Sequence, residues 1–475
     1  MVGFGLSAHN RLVRRNQFRK GPVDLRKRRL RTWMALVMTA MLTGLTACSG
    51  SAGESANPNA VELKFMYWGS NDEKQAMEKM IQSFNASHPN IRVKGEHVPG
   101  DYTTKINTLM AANQLPDIAY LGDSLTMKWA SEGRLLDLSS YYDEYPELKN
   151  KLKSSYLYSE PGKSIGNYTA LEVMQLFYNK ELFTEAGVPV PPADPEKAWT
   201  WDEFLEIAKK LTKDQNGKHP GDSGFDPKNI VQYGFAFGND RSSWGPLLAS
   251  NGGGLTDETG KKYTLNRPES VEVFQKLQDL VFKEHVSPDL IQQQDMPSNT
   301  IRLQTKKVAM VVDGTWSLLD FSNNKQLQWS IGVLPKLKEP KTMIVAGATV
   351  IFQSTKHPKE ALEFYLYHNN PEKVDLFKSG LWMPIEEKYY TDEQAIQSWT
   401  NNAAHPPEFQ QAGIEYARDY AIKPSTSTLR NWPDIGSKLT PGLDLIWTNK
   451  KTPQQALDEL EPIIQPLLQG VYPDE

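Results

Sequence analysis

Between Val61 and Leu121 the chain alternates strand and helix, with turn residues at every change, and that alternation restricts it to an α/β fold with a parallel sheet. Val61-Glu62-Leu63-Lys64-Phe65-Met66-Tyr67-Trp68 alternates apolar and polar residues and stops at Gly69-Ser70, the pattern of a strand ending in a turn. Asn71 or Asp72 is placed to cap a helix whose apolar positions Met77, Met80, Ile81 and Phe84 follow helical spacing. His88-Pro89-Asn90 turns the chain into a second strand, Ile91 to Val98. Tyr102 to Ala112 is helical, Leu115-Pro116-Asp117 turns, and Ile118 to Leu121 is a short apolar strand.

The same grammar returns later. Leu171 to Phe177 reads as a strand, and Trp201 to Leu211 as a helix opened by Thr200. The loops Asp214 to Lys218 and Asp257 to Lys261 carry Asn-Gly and Gly-containing turn chemistry. The first lacks the later acidic positions of a calcium loop. Pro268 to Phe282 is an amphipathic helix, and Val308 to Val312 and Trp329 to Leu334 are strands. Helices dominate beyond Pro358, the last running from Pro453 to Leu468.

Ahead of all this lie ten basic residues within the first 31, then an uncharged apolar stretch from Thr32 to Ala47. A basic run, a short apolar run and small residues at the exit make an export signal, residues 1–47. Leu45-Thr46-Ala47-Cys48 resembles a bacterial lipobox, which implies acylation of Cys48, cleavage before it, and attachment to the outer face of a cell membrane. Residues 48–60, rich in Ser, Ala, Gly and Asn, read as a flexible tether. Cys48 is the only cysteine, so no disulfide framework exists and the fold must hold by packing. The formal charge is −4; with the net +9 of the first 47 residues set aside, the remainder carries −13. That balance argues against nucleic acid as a partner.

Several segments, in order, resemble the family 1 extracellular solute-binding proteins, the sugar receptors of bacterial ABC importers. They are Leu115-Pro116-Asp117-Ile118 with Gly122-Asp123; Leu176 to Phe183 followed by Ala186-Gly187-Val188-Pro189; Thr200-Trp201-Asp202-Glu203-Phe204; Lys307-Val308-Ala309-Met310 with Gly314-Thr315-Trp316; Gly332-Val333-Leu334-Pro335; and Thr452 to Leu457. The resemblance implies a two-lobed α/β, periplasmic-binding-protein-like (type II) fold with a hinge and a ligand cleft between the lobes. By matching segments, residues 61–168 and 331–384 form the N-terminal lobe and residues 169–330 and 385–475 the C-terminal lobe. It further implies a monomer that binds a carbohydrate, an oligosaccharide by preference, and delivers it to permease subunits and their ATPase, with no cofactor or metal.

Sugars present apolar faces and hydroxyl edges, so their sites want flat aromatic rings and polar groups together. Trp68 closes the first strand at its carboxyl end, where α/β sheets place ligands; stacking and plain packing both fit it. Asn71 and Asp72 bind hydroxyls or cap the helix. Asp123 follows the third strand and matches a hydroxyl-binding acid of the family. Glu172 matches a ligand-contacting acid of the maltose-binding relatives, and a glutamate in an apolar strand is costly to bury without a partner. Trp244 precedes the Gly-rich turn Asn251 to Gly254, which is similar to the family's cleft-edge loop. Trp316 matches a stacking tryptophan, and Gly347, Trp382 and Trp432 fit cleft-facing segments or the core. Tyr178 and Asn179 read as structural. The alternatives are a secreted carbohydrate-active enzyme, which needs a carboxylate pair no motif isolates, and a receptor for a non-sugar solute. The histidines show no metal-ligand spacing.

Overall fold

A computed structural model describes residues 57–474; the expected export signal, residues 1–47, and Cys48 lie outside the described residues. The first sheet holds β1 (Val61–Tyr67), β2 (Ile91–His97), β3 (Ile118–Leu121) and β12 (Ala348–Ile351) in the order β12-β3-β1-β2. β1 runs parallel to β2 and β3, with Val61 opposite Ile91 and Phe65 opposite Ile118. β12 joins the far edge antiparallel to β3. α1 (Asn71–Ser87) buries Met77, Met80, Ile81 and Phe84, as their spacing requires. Its cap is Ser70 rather than Asn71 or Asp72: the Glu73 amide donates to Ser70 Oγ (3.2 Å), and the Ser70 amide donates to Glu73 Oε2 (3.0 Å). α2 (Tyr102–Ala111) and α3 (Asp123–Ser131) complete the opening alternation.

The hairpin of β4 (Tyr156–Glu160) and β5 (Lys163–Asn167) precedes the second sheet. That sheet holds β6 (Met174–Asn179), β7 (Lys213–Asp214), β8 (Ile230–Ala236), β9 (Val308–Gly314) and β10 (Trp329–Gly332), ordered β10-β6-β9-β8-β7. β6 starts three residues later than its apolar run, because Val173 is instead bridged to Ile344 in the crossover. Asn179 ends β6 and caps the next helix, its Oδ1 accepting from the Glu181 amide (2.9 Å), and Tyr178 is buried. β10 pairs with β6 along its whole length, Ile331 opposite Phe177 and Gly332 opposite Leu176. Ile331 and Gly332 therefore sit in the second sheet, past the boundary expected at residue 331, because ladder pairing and not motif position decides where the crossover begins. Around this sheet lie α4 (Trp201–Leu211), opened by the Thr200–Glu203 capping box, α5 (Arg241–Ser250) and α6 (Pro268–Phe282).

Two crossovers run side by side between the sheets. Tyr168 bridges Ala348, the Thr169 amide donates to the Gly347 carbonyl (2.9 Å), and the Val345 amide donates to the Glu172 carbonyl (2.9 Å). A third segment joins them: β11 (Thr342–Met343) pairs with β13 (Ala421–Ile422), which returns from the C-terminal half. α7 (Pro358–His368) packs on the first sheet, and α8 (Glu393–Thr400) follows. The last helices, α9 (Trp432–Trp447) and α10 (Pro453–Ile464), pack on each other and on α6.

Beneath the first sheet His368 is fully buried, with Phe65 and Trp382 against its ring. Its Nδ1 lies 2.7 Å from Asn369 Oδ1, which only accepts, so Nδ1 carries the proton and Nε2 accepts from the Tyr120 hydroxyl at 3.0 Å. Burial lowers its pKa to about 4, and that of His405 likewise. Between about pH 6.5 and 4 the native state thus holds fewer protons here than the unfolded chain, and stability falls as pH drops through that window. Thermal melts of wild type and His368→Gln across the window check this. The variant should start less stable and decline less steeply; parallel curves would refute the assignment.

Candidate ligand-binding cleft

A cavity of about 430 Å³ opens where the carboxyl ends of β1 and β3 meet the crossovers and the second sheet. A larger depression of about 620 Å³ lies on the first sheet's side, near Pro146 to Lys151 and Glu386 to Tyr389. The smaller cavity is the candidate site, because aromatic faces and carboxyl groups carried by both lobes converge there.

Its wall is aromatic. Trp68 meets Tyr120 edge to face at 5.3 Å and Tyr102 at 5.0 Å, and Tyr120 leads on to Trp382 at 6.1 Å. Gly347 makes room for this wall, since a Cβ there would stand 2.7 Å from the Trp68 ring and 3.0 Å from the Leu121 carbonyl oxygen. Trp316, half-buried, enters from the end of β9 on a 3₁₀ turn, Thr315–Ser317, with its indole folded over Gly314.

The polar groups come from helix starts and crossovers. Asp123, the first residue of α3, accepts from the Ser124 amide (2.8 Å) and from the Thr426 hydroxyl. Thr426 in turn accepts from Arg241 Nη2 at 2.8 Å, and Arg241 opens α5. Burial raises the Asp123 carboxyl's proton affinity, and the Arg241 charge opposes that rise. Glu172 projects from the crossover with no side-chain hydrogen bond among the described residues, and burial pushes its pKa well above the carboxylate range, the Glu73 charge adding to the effect. Glu73 is itself pushed up to about 7, by burial first and by Asp320 and Asp313 after it. Ser70 Oγ donates to Asp320 (3.1 Å) and Asn323 Nδ2 to Asp72 (2.8 Å), so hydrogen bonds cross one rim of the cleft.

Six of the residues singled out from the sequence line this one cavity: Trp68, Asp123, Glu172, Trp316, Gly347 and Trp382. Three do not. Asn71 is exposed on the first turn of α1, because Ser70 takes the cap and turns the next residue outward. Trp244 is 3% exposed inside α5, packed on Phe274, its Nε1 donating to the Asn239 carbonyl (3.2 Å); it is core of the second lobe. The glycine turn after it lies against Ser270 of α6, away from the cleft. Trp432 stands one layer out, beneath the Arg241 guanidinium at 5.3 Å, and lines a separate hollow. Ser70, Glu73, Tyr120 and Arg241 were missed. The Ser-x-x-Glu spacing of a capping box was a signal for the first two; Arg241 had none, being brought in by tertiary packing.

A family model described as bacterial extracellular solute-binding protein matches residues 68–373, more than half of the chain. The chain belongs to the bacterial extracellular solute-binding protein family. Among relatives, the sn-glycerol-3-phosphate-binding periplasmic protein UgpB of Pectobacterium atrosepticum is 24% identical over 372 residues, 75% of this chain and 75% of the relative. UgpB of Escherichia coli K12 is 22% identical over 414 residues, 80% of this chain and 86% of the relative. Among solved structures, the Listeria monocytogenes ABC substrate-binding protein Lmo0181, in complex with cycloalternan, superposes with a TM-score of 0.72 at 22% identity, covering 86% of this chain and 98% of that one. Maltose-bound T. maritima MalE3 gives 0.71 at 19% identity, covering 86% and 100%. These likenesses fix the two-lobed fold of this solute-binding protein, with one sheet in each lobe and the paired crossovers between them.

Proposed function

We propose that this solute-binding protein captures a carbohydrate in the cleft between its lobes and delivers it to the permease of an ABC importer, held at the outer membrane face through acylated Cys48. The observation that carries the reading is the continuous wall of Trp68, Tyr120 and Trp382 in one cavity with Trp316, Asp123 and Glu172. Indole faces cover the C–H surface of a sugar ring, and the acids hold its hydroxyl edge. Neighbouring structures carry sugars, cycloalternan and maltose, which supports the class. The UgpB relatives are named for a phosphate ester, yet this cavity's lining sets three carboxyl groups against one arginine, a poor field for a dianion.

Isothermal titration calorimetry of the protein against mono- and oligosaccharides and sn-glycerol-3-phosphate tests the reading. Binding of a sugar in preference to the phosphate ester is expected; if the ester binds and no sugar does, the carbohydrate assignment falls. For the anchor, labelled palmitate should be incorporated into wild type and not into Cys48→Ser. Incorporation that survives the substitution would remove the lipidation.

A further inference from the structure

The cleft's charges do not balance. Glu73, Asp123 and Glu172 line it, and Arg241 is the one cation among the lining residues. Arg241 is already engaged: Nη2 donates to Thr426 (2.8 Å), Nη1 lies 3.3 Å from Met343 Sδ, the guanidinium covers Trp432, and its charge offsets Asp123. Glu73 and Glu172 are left over. Glu73 spends one oxygen on the Ser70 amide, and Glu172 receives no donor at all from the described residues. Their acidic neighbours bring no cation into hydrogen-bond contact with them: Asp313 accepts from Asn299 Nδ2 (2.8 Å) and the Gly314 amide (2.8 Å), and Asp320 from the Ser70 hydroxyl (3.1 Å). A carboxylate withdrawn from water without a counter-ion or donor is unfavourable, and two of them repel.

The walls favour one resolution. Tryptophan and tyrosine faces attract a cation through their quadrupole, and tryptophan does so best. A neutral sugar leaves the two carboxyls either to take up protons or to stay charged and poorly solvated. An ammonium group supplies both the missing charge and up to three donors. We propose that the ligand of this cleft is a cationic carbohydrate, an amino sugar whose protonated amine lies between Glu172 and Glu73 against the tryptophan wall. This rests on the carbohydrate reading above and narrows it.

The test compares sugars that differ in one group. Glucose, glucosamine and N-acetylglucosamine, and the matching galactose series, are titrated into the full mature chain at pH 6.5 in low salt. In at least one series the amine should bind about tenfold or more tightly than both neutral forms. Glu172→Gln should shrink that margin to roughly threefold or less, lowering affinity for the amine more than for the neutral sugars, and added salt should shrink the margin in the same direction. Circular dichroism melts of the variant confirm that it folds, and Glu73→Gln gives an independent second reading of the margin. Neutral sugars binding as well as the amines in both series would overturn the inference while leaving the carbohydrate reading intact. If no sugar binds in any form, the carbohydrate reading itself fails and takes this inference with it.

Discussion

Gly347→Val should cost the protein most of its ligand affinity. The added Cβ would stand 2.7 Å from the Trp68 ring and 3.0 Å from the Leu121 carbonyl oxygen. The carbonyl belongs to β3 and is held by the sheet, so the indole is what must move. Overpacking of this kind costs about 1–3 kcal/mol, and here it falls on the ring that begins the aromatic wall. Gly347 also accepts the Thr169 amide across the crossovers, so the strain lands where the lobes are joined. Calorimetry on the ligand that wild type binds should give a loss of about tenfold or more, with a smaller loss for Gly347→Ala. Wild-type affinity in the valine variant would mean that Trp68 has room to spare and is not held in place by the glycine.

Trp316→Ala should produce the second large loss, and by a different route. The indole is half-buried over Gly314 at the mouth of β9 and packs against the apolar clusters of both lobes, so its removal takes away stacking surface where the lobes meet. For a desolvated aromatic anchor the expected cost is about 2 kcal/mol, roughly thirtyfold in dissociation constant. Trp316→Phe should recover part of it. Affinity within twofold of wild type would place the ligand elsewhere in the cavity.

Much of this architecture was legible because the signals were local. The periodicity from Val61 to Leu121 and the Thr200–Glu203 capping box name their elements almost to the residue, since each rests on neighbours a few positions apart. The site was readable where a residue's place on the sheet decided its direction. Trp68, Asp123 and Trp316 all follow strands at the carboxyl end, and the topology delivers them to one cavity. Reading failed where a contact distant in sequence took over. Trp244 is a cleft tryptophan by its context, but Phe274 of α6 claims its ring for the core. Arg241 reaches the cleft because Thr426, far along the chain, comes back to receive it. Asn71 failed for a smaller reason, a cap displaced by one residue that turned the side chain to solvent.

The paired crossovers carry one more consequence. Thr169 to Glu172 and Val345 to Gly347 are laced by amide–carbonyl bonds, and Thr342–Met343 is laced in turn to Ala421–Ile422. Three passes of the chain bound edge to edge form a compact hinge, the kind of element about which two lobes close on a ligand. A ligand's girth then becomes an angle. A transporter that receives this protein has no need to recognise the ligand itself: it can gauge, like a caliper, how far the jaws have come together.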